Sequence, residues 1–342
     1  MLKFRTYNDI ENSYRTKTVN DIVDMGLAAK EIEWCVTEKV HGSNFSMWYD
    51  GVEFRSAKRS CLIGDTENFC GSLKVVSENK DKVIAIYNDL NLVPGTDVMA
   101  VYGEIFGGTY PHPNVEKAKN ATQVQKGIFY SPENLFYAFD IRVNEIILDK
   151  DKSDELFQKH GIFYSKFLFR GTLKECLEYS NEFKSKIPEW LGLPEIEGDN
   201  ICEGTVVAPI KTKFFGCGSR VILKNKNDKW KEKASESKSP KPPKEEITLS
   251  EEGNRLMDEL DTYVCENRLK NVLSKIGAVT QKDFGKILGA MAIDTLKDFK
   301  KDNEEAFNAL PEDDQKAINK RTSTVCQLLI RKHIVDIIDG NF

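Results

Sequence analysis

Sixteen consecutive residues, KEKASESKSPKPPKEE at 231–246, carry almost nothing apolar, and a segment of that composition cannot join a hydrophobic core. Its lysines, serines and prolines read as a linker, so the chain is constrained to fold in two parts, about 1–230 and 247–342. The length agrees, because 342 residues exceed one ordinary core and suit two of unequal size.

The two parts have different rhythms. Before the linker come short β-rich runs: EWCVTEKV, SNFSMWYD, VEFRSAKR, DVMAVYGEIFG, NLFYAFDIRV, EIILDK, EGTVVAPI and SRVILKNK. Several alternate apolar with polar residues, and turn formers such as Asp50-Gly51 and Asn144 separate them in pairs that look like hairpins. Helical periodicity appears at 15–27, 70–91, 151–160 and 172–187. Strands interrupted by helices without a regular βαβ alternation predict an α+β domain on a mostly antiparallel sheet. After the linker, 249–276, 280–289, 292–308 and 311–338 read as helices, with Ser250 before Gly253 and Thr280 before Asp283 as starts. A small all-α domain is expected there.

No apolar run is long enough to span a bilayer. The opening MLKFRTYNDIENSYR lacks the apolar stretch of a secretory leader, which predicts the cytoplasm or another reducing compartment. The eight cysteines show no CxxC pair and no histidine at zinc-finger distance, so they read as buried free thiols rather than metal ligands or disulfides. The net charge of −5 argues at first against a polyanionic partner. Its distribution reverses that reading: residues 209–244 hold eleven Lys or Arg against three acids, a local +8 that leaves −13 elsewhere. An acidic bulk with one basic stripe fits a protein that grips an anionic polymer on one face.

The densest chemistry lies in Glu38-Lys39-Val40-His41-Gly42-Ser43-Asn44. A strand ends on a lysine, glycine permits a tight turn, and an amide re-enters the next strand. That geometry holds an amine at a pocket floor. A lysine is a nucleophile only when deprotonated, which at its ordinary pKa of about 10.4 needs burial, a cationic neighbour or a metal. Lys224 and Lys226 supply such cations downstream. Alone, KxxG is more often a solvated strand-end lysine. Other segments follow in order: Arg55-Ser-Ala-Lys58-Arg59, Tyr102-Gly103-Glu104, Phe136-Tyr-Ala-Phe139-Asp140, Glu203-Gly-Thr-Val-Val and Val221-Ile-Leu-Lys224-Asn-Lys226. Each could be an edge carboxylate, a core aromatic or the solvent face of a strand.

Together and in this order they resemble the nucleotidyltransferase motifs of the ATP-dependent ligase and capping-enzyme superfamily. The resemblance is strongest to the RNA ligase 2 family, whose nucleophile motif is K-x-H-G-x-N and appears here as KVHGSN at 39–44. DNA ligases and capping enzymes usually carry K-x-D-G, so His41 and Asn44 point to RNA ends. EWCVTEKVHGSNFS, the AKR segment, and NRLKNVLSKIG with KDFGK at 267–286 share the likeness, and 142–200 is least recognisable.

The resemblance implies an adenylyltransferase domain at 1–230, a linker at 231–246, a helical C-terminal domain at 247–342, and ATP-dependent joining of 3′-hydroxyl and 5′-phosphate RNA ends. AMP would pass from ATP to Lys39, then to the RNA 5′-phosphate, and leave as the 3′-hydroxyl attacks. Lys39, Glu203, Lys224 and Lys226 are the implied catalytic residues. Glu38, Val40 and Asn44 would border the nucleotide, Phe139 would stack on adenine, and Glu104 and Glu203 would serve a ribose hydroxyl and Mg²⁺ or Mn²⁺. Two lysines two apart on one strand face the same way and suit the α-phosphate. Arg59 would hold the RNA 5′-phosphate, and Arg268 would touch RNA. His41 is expected to bond the loop rather than act as a base. The family's basic residue after the EG-hydrophobic-hydrophobic stretch is absent at Ala208, with Lys211 or Lys213 as replacements. The expected protein is a monomer acting on nicked duplex RNA, with no membrane partner. The alternatives are an RNA-capping guanylyltransferase and a catalytically inert RNA-binding subunit.

Overall fold

The computed structural model describes Leu2 and residues 4–230, 249–277 and 279–342; the linker expected at 231–246 lies outside these. The chain divides into two compact units, Met1–Lys229 and Trp230–Phe342.

The first unit carries two sheets among its described residues. One runs in the order β1 (Glu11–Asn12), β11 (Leu223–Lys226), β10 (Gly204–Pro209), β2 (Trp34–Glu38) and β9 (Phe167–Gly171). The other runs β5 (Cys61–Ile63), β4 (Phe54–Lys58), β3 (Ser43–Tyr49), β6 (Met99–Thr109), β7 (Ser131–Val143) and β8 (Ile146–Ile147). Every pairing is antiparallel except β1 with β11. The expected mostly antiparallel α+β domain is therefore present. The turn residues act as read, with Gly51 at φ +85° and Asn144 at φ +51°, a region glycine and asparagine tolerate.

Alternation sorts the faces of both sheets. In the second sheet Phe45, Met47, Met99, Val101 and Ile105 pack on one side with α2 (Ser72–Asp89) and α3 (Lys150–Lys159). Val75, Val83 and Ile86 of α2 meet that face at helical spacing. The other side carries Asn44, Ser46 and Trp48 of β3 beside Glu104, Tyr102 and Ala100 of β6. In the first sheet Trp34, Val36, Val207 and Leu223 pack on Ile22 of α1 (Thr16–Asp24) and Leu173 and Cys176 of α4 (Leu173–Glu178). The opposite face of that sheet is left for Lys39, Lys224 and Lys226.

The sequence reading overextends one helix. Instead of running through 172–187, α4 stops at Glu178, and a separate α5 covers only Ile187–Trp190, with Pro188 in its first turn. EIILDK splits likewise: only Ile146–Ile147 pair, and α3 takes over at Lys150.

The second unit is helical: α6 (Glu251–Tyr263), α7 (Glu266–Ile276), α8 (Phe284–Asp302), α9 (Glu304–Ala309) and α10 (Glu312–Ile338). Ser250 caps α6 by accepting from Gly253 N at 3.0 Å, and Thr280 with Asp283 forms a capping box. The expected single helix over 249–276 is two, broken at Val264–Cys265. The runs 280–289 and 292–308 regroup, because Gly289 does not interrupt α8 and the chain turns at Asn303. Leu256, Leu260 and Tyr263 of α6 pack with Phe299, Phe307 and Ile318 in one core, and Val272, Ile287, Met291 and Val325 form another.

Candidate active site

Between β2 and β3 the chain leaves one sheet and enters the other, and the crossover is Lys39-Val40-His41-Gly42. The crossover packs tightly on β6. A Cβ on Gly42 would stand 2.5 Å from the carbonyl oxygen of Ile105 and 3.0 Å from Glu104 Oε2, so only glycine fits. Backbone restraint is added by Lys39 N–H, which donates to Gly204 O at 3.0 Å.

Three of the four expected catalytic side chains meet on one carboxylate. Lys39 Nζ lies 2.8 Å from Glu203 Oε2, and Lys226 Nζ lies 2.8 Å from Oε1 of the same group. His41 Nδ1 stands 3.6 Å from Oε2. Burial by itself pushes the Glu203 carboxyl up, yet Lys226, Lys39 and His41 together outweigh it and hold the group well below the usual carboxylate range. Gly204 next to it has φ +140°, and a Cβ there would fall 2.1 Å from Asn225 O, so this turn also requires glycine. Lys224 is two residues from Lys226 on β11 and shares its face by alternation.

Glu104 sits directly across from Asn44 in the β3–β6 ladder. Its carboxyl is raised, mainly by burial; Lys39 opposes that shift and Glu203 adds to it, so the two acids feel each other. Their hard oxygens suit a divalent cation. No group of three or more His, Cys, Asp or Glu that could hold a metal ion occurs among the described residues, so such an ion would complete its shell with waters and phosphate oxygens. Phe139 falls at the irregular register of β7 opposite Tyr102 and Gly103, its ring 4.9 Å from that of Tyr7.

Other expected residues stand elsewhere. The side chain of Glu38 accepts from Ser185 Oγ at 2.5 Å and Lys186 N at 2.8 Å, and alternation turns it away from the face of Lys39. Burial pushes it up to about 7 despite those bonds. Arg59 meets Asp9 at 2.6 Å through Nη2. Lys211 pairs with Asp149 at 2.9 Å.

Arg268 is a correction. Expected to touch RNA, it is 1% exposed. Its Nε donates to Tyr263 O at 2.9 Å, and its Nη1 lies 2.5 Å from Asp294 Oδ2 and 3.0 Å from Asp298 Oδ2. It joins α7 to α8 and satisfies a carbonyl where α6 ends. The cysteines are likewise only partly as expected: none of the eight is in a disulfide, but Cys61 and Cys217 are exposed and Cys70 and Cys265 half-buried.

Sequence reasoning missed Tyr7 and Arg220. The Arg220 guanidinium bonds Asp140 and, at 2.8 Å, the Tyr7 hydroxyl, while Tyr7 bonds Asp140 as well. Asp140 and Arg220 are each 3% exposed at the side chain. They tie β7 of one sheet to the segment entering β11 of the other. Arg220 lay within the basic stripe, which was its only signal.

Comparison with known proteins follows the same lines. Residues 32–226 match the family model described as RNA ligase, and 247–328 match that of the T4 RNA ligase 2 C-terminal region. RNA-editing ligase 2, mitochondrial, of Trypanosoma brucei brucei is 30% identical over 90% of this chain and 86% of its own length. RNA-editing ligase 1, mitochondrial, of the same organism is 30% identical over 87% and 76%. Among solved structures, a Naegleria gruberi RNA ligase mutant with ATP and Mn gives a TM-score of 0.44 at 17% identity. That alignment covers 66% of this chain and spans 57% of the solved one. The segments matched by the family models contain both the crossover lysine and the carboxylate it meets, and on those models and the 30% identical relatives the chain belongs to the RNA ligase 2 family.

Proposed function

We propose that this chain seals nicks in duplex RNA, with Lys39 as the nucleophile that first takes AMP from ATP. ATP-dependent RNA ligation is the reaction class its family membership gives. The observation that supports the finer reading is the single Glu203 carboxylate shared by Lys39 and Lys226 at 2.8 Å each.

The roles follow from charge. The Lys39 amine in its neutral form attacks the α-phosphorus of ATP; an N–P bond forms as one amine proton passes to water, the bond to the β-phosphate oxygen breaks, and pyrophosphate leaves. An RNA 5′-phosphate oxygen then displaces the lysine, and the 3′-hydroxyl finally displaces AMP to leave a phosphodiester. Glu203 is held too acidic to accept a proton well at neutral pH, so its part is to aim the amine. Lys226 and Lys224 place positive charge where negative charge develops on the α-phosphate oxygens. A divalent ion, when bound, neutralises phosphate charge in the same way, with Glu104 and Glu203 as its protein oxygens. Asn44 stands beside Glu104 toward the ribose, Val40 borders the nucleotide through its backbone, and Phe139 offers the adenine a ring. Arg59 is assigned the RNA 5′-phosphate, its guanidinium fork matching phosphate geometry. The choice of RNA ends rests on KVHGSN, and a reducing compartment on eight thiols outside any disulfide.

The test is incubation with α-labelled ATP or GTP and Mg²⁺, followed by denaturing electrophoresis. Label from ATP that disappears in Lys39→Ala is expected. Label from GTP alone would transfer the protein to the capping enzymes, and none from either would make it an inert subunit.

A further inference from the structure

The crossover that carries Lys39 lies outside both sheets, its first residue held by the Lys39 N–H bond to Gly204 O at 3.0 Å. Two tyrosine hydroxyls bond the backbone on either side of that residue as well. Tyr137 on β7 donates to the carbonyl of Glu38 at 3.3 Å, and Tyr130, just before β7, accepts from His41 N–H at 2.9 Å. One bond falls on the residue before Lys39 and the other two residues after it.

Both rings are fixed by packing. Tyr130 is 0% and Tyr137 1% exposed. Phe106 meets them edge-on at 5.5 and 6.2 Å, and Phe163 lies 5.7 Å from Tyr137. A phenylalanine would fill either space as well, so packing alone does not account for the hydroxyls. Each hydroxyl bonds the backbone flanking the reactive amine. Burial pushes both phenols well above their ordinary range, so the hydroxyls keep their protons wherever the protein is folded.

We infer that Tyr130 and Tyr137 are positioning residues for the Lys39 amine, bracing the crossover on both sides through their hydroxyls. The inference rests on Lys39 being the nucleophile. In-line attack at phosphorus is sensitive to placement: an error of about 1 Å in a reacting group costs on the order of a hundredfold in rate. The brace therefore matters for the step in which Lys39 attacks. It matters far less for the last step, in which the RNA 3′-hydroxyl is the attacking group and the lysine is a bystander.

Tyr130→Phe and Tyr137→Phe in the full chain, singly and together, separate these steps. The maximal rate of label transfer from α-labelled ATP should fall about tenfold in each single variant, with the KM for ATP unchanged within about twofold. Sealing of a nicked duplex RNA that already carries AMP on its 5′-phosphate should stay within about twofold of wild type. Amide hydrogen exchange at His41 should speed up in Tyr130→Phe, a readout independent of catalysis. Equal loss in both steps, or an undiminished first step with His41 exchange unaltered, overturns the inference. A wild-type protein that takes no label from ATP overturns the nucleophile assignment, and the inference with it.

Discussion

Lys39 and Lys226 occupy opposite oxygens of Glu203, which makes the acid a fixed ruler between two amines. Glu38, one residue before Lys39, is under the contrary influence, since burial raises it to about 7. A carboxyl raised in the folded state binds more protons there than when unfolded between its ordinary pKa of about 4.3 and its folded value. Its contribution to stability is therefore greatest below that window and is lost as pH rises through it. Stability measured by urea unfolding, compared between wild type and Glu38→Gln, should shift against wild type by up to about 3 kcal/mol from pH 4 to pH 8. A difference flat with pH would show the carboxyl titrating normally. Lys39, Glu203 and Lys226 were assigned through the resemblance of their motifs taken together, since each read alone could be a solvent-facing or edge residue. The place of Arg268 was not legible, because the Asp294 and Asp298 that consume its charge lie well over twenty residues away and one helix over. Tyr130 and Tyr137 were equally hidden, since in a sequence a bracing phenol looks like any core aromatic.

Among the elements, strands were easier to read than helix ends. Alternation in SNFSMWYD and DVMAVYGEIFG marked β3 and β6, whose pairing sets Asn44 beside Glu104. The helix over 249–276 was read as unbroken because its apolar rhythm continues through Val264. Only the folded unit reveals Arg268 taking the Tyr263 carbonyl there. The crossover between sheets was legible as a turn but not as a site of close contact. Gly42→Ala, which drives a Cβ to 2.5 Å from Ile105 O, should cost at least about 2 kcal/mol in urea unfolding and reduce ATP labelling with it. Wild-type stability in that variant would mean the crossover yields freely and that Gly42 is not what seats it.

For the whole molecule, the change of rhythm at 231–246 gave the expectation of two parts, about 1–230 and 247–342, and the compact units are Met1–Lys229 and Trp230–Phe342. Every residue assigned to nucleotide chemistry falls in Met1–Lys229, which has its own cores. A chain ended at Trp230 should accordingly still take label from ATP at Lys39, and a role of the helical unit in binding RNA predicts that its sealing of a nick falls by more than about tenfold. Undiminished sealing would leave that unit without a part in the reaction. No helix among the described residues is long and apolar enough to cross a membrane.

The Asp140–Arg220 pair that ties the two sheets has a bearing on how the protein behaves in salt. Mobile ions screen charges at the surface far more than those shut away from water, and each member of this pair is 3% exposed. Added electrolyte strips a polyanion from its lysines and arginines by competing for them. The same electrolyte is kept from the rivet between the sheets, so an ionic strength that would weaken any hold on RNA leaves this tie intact.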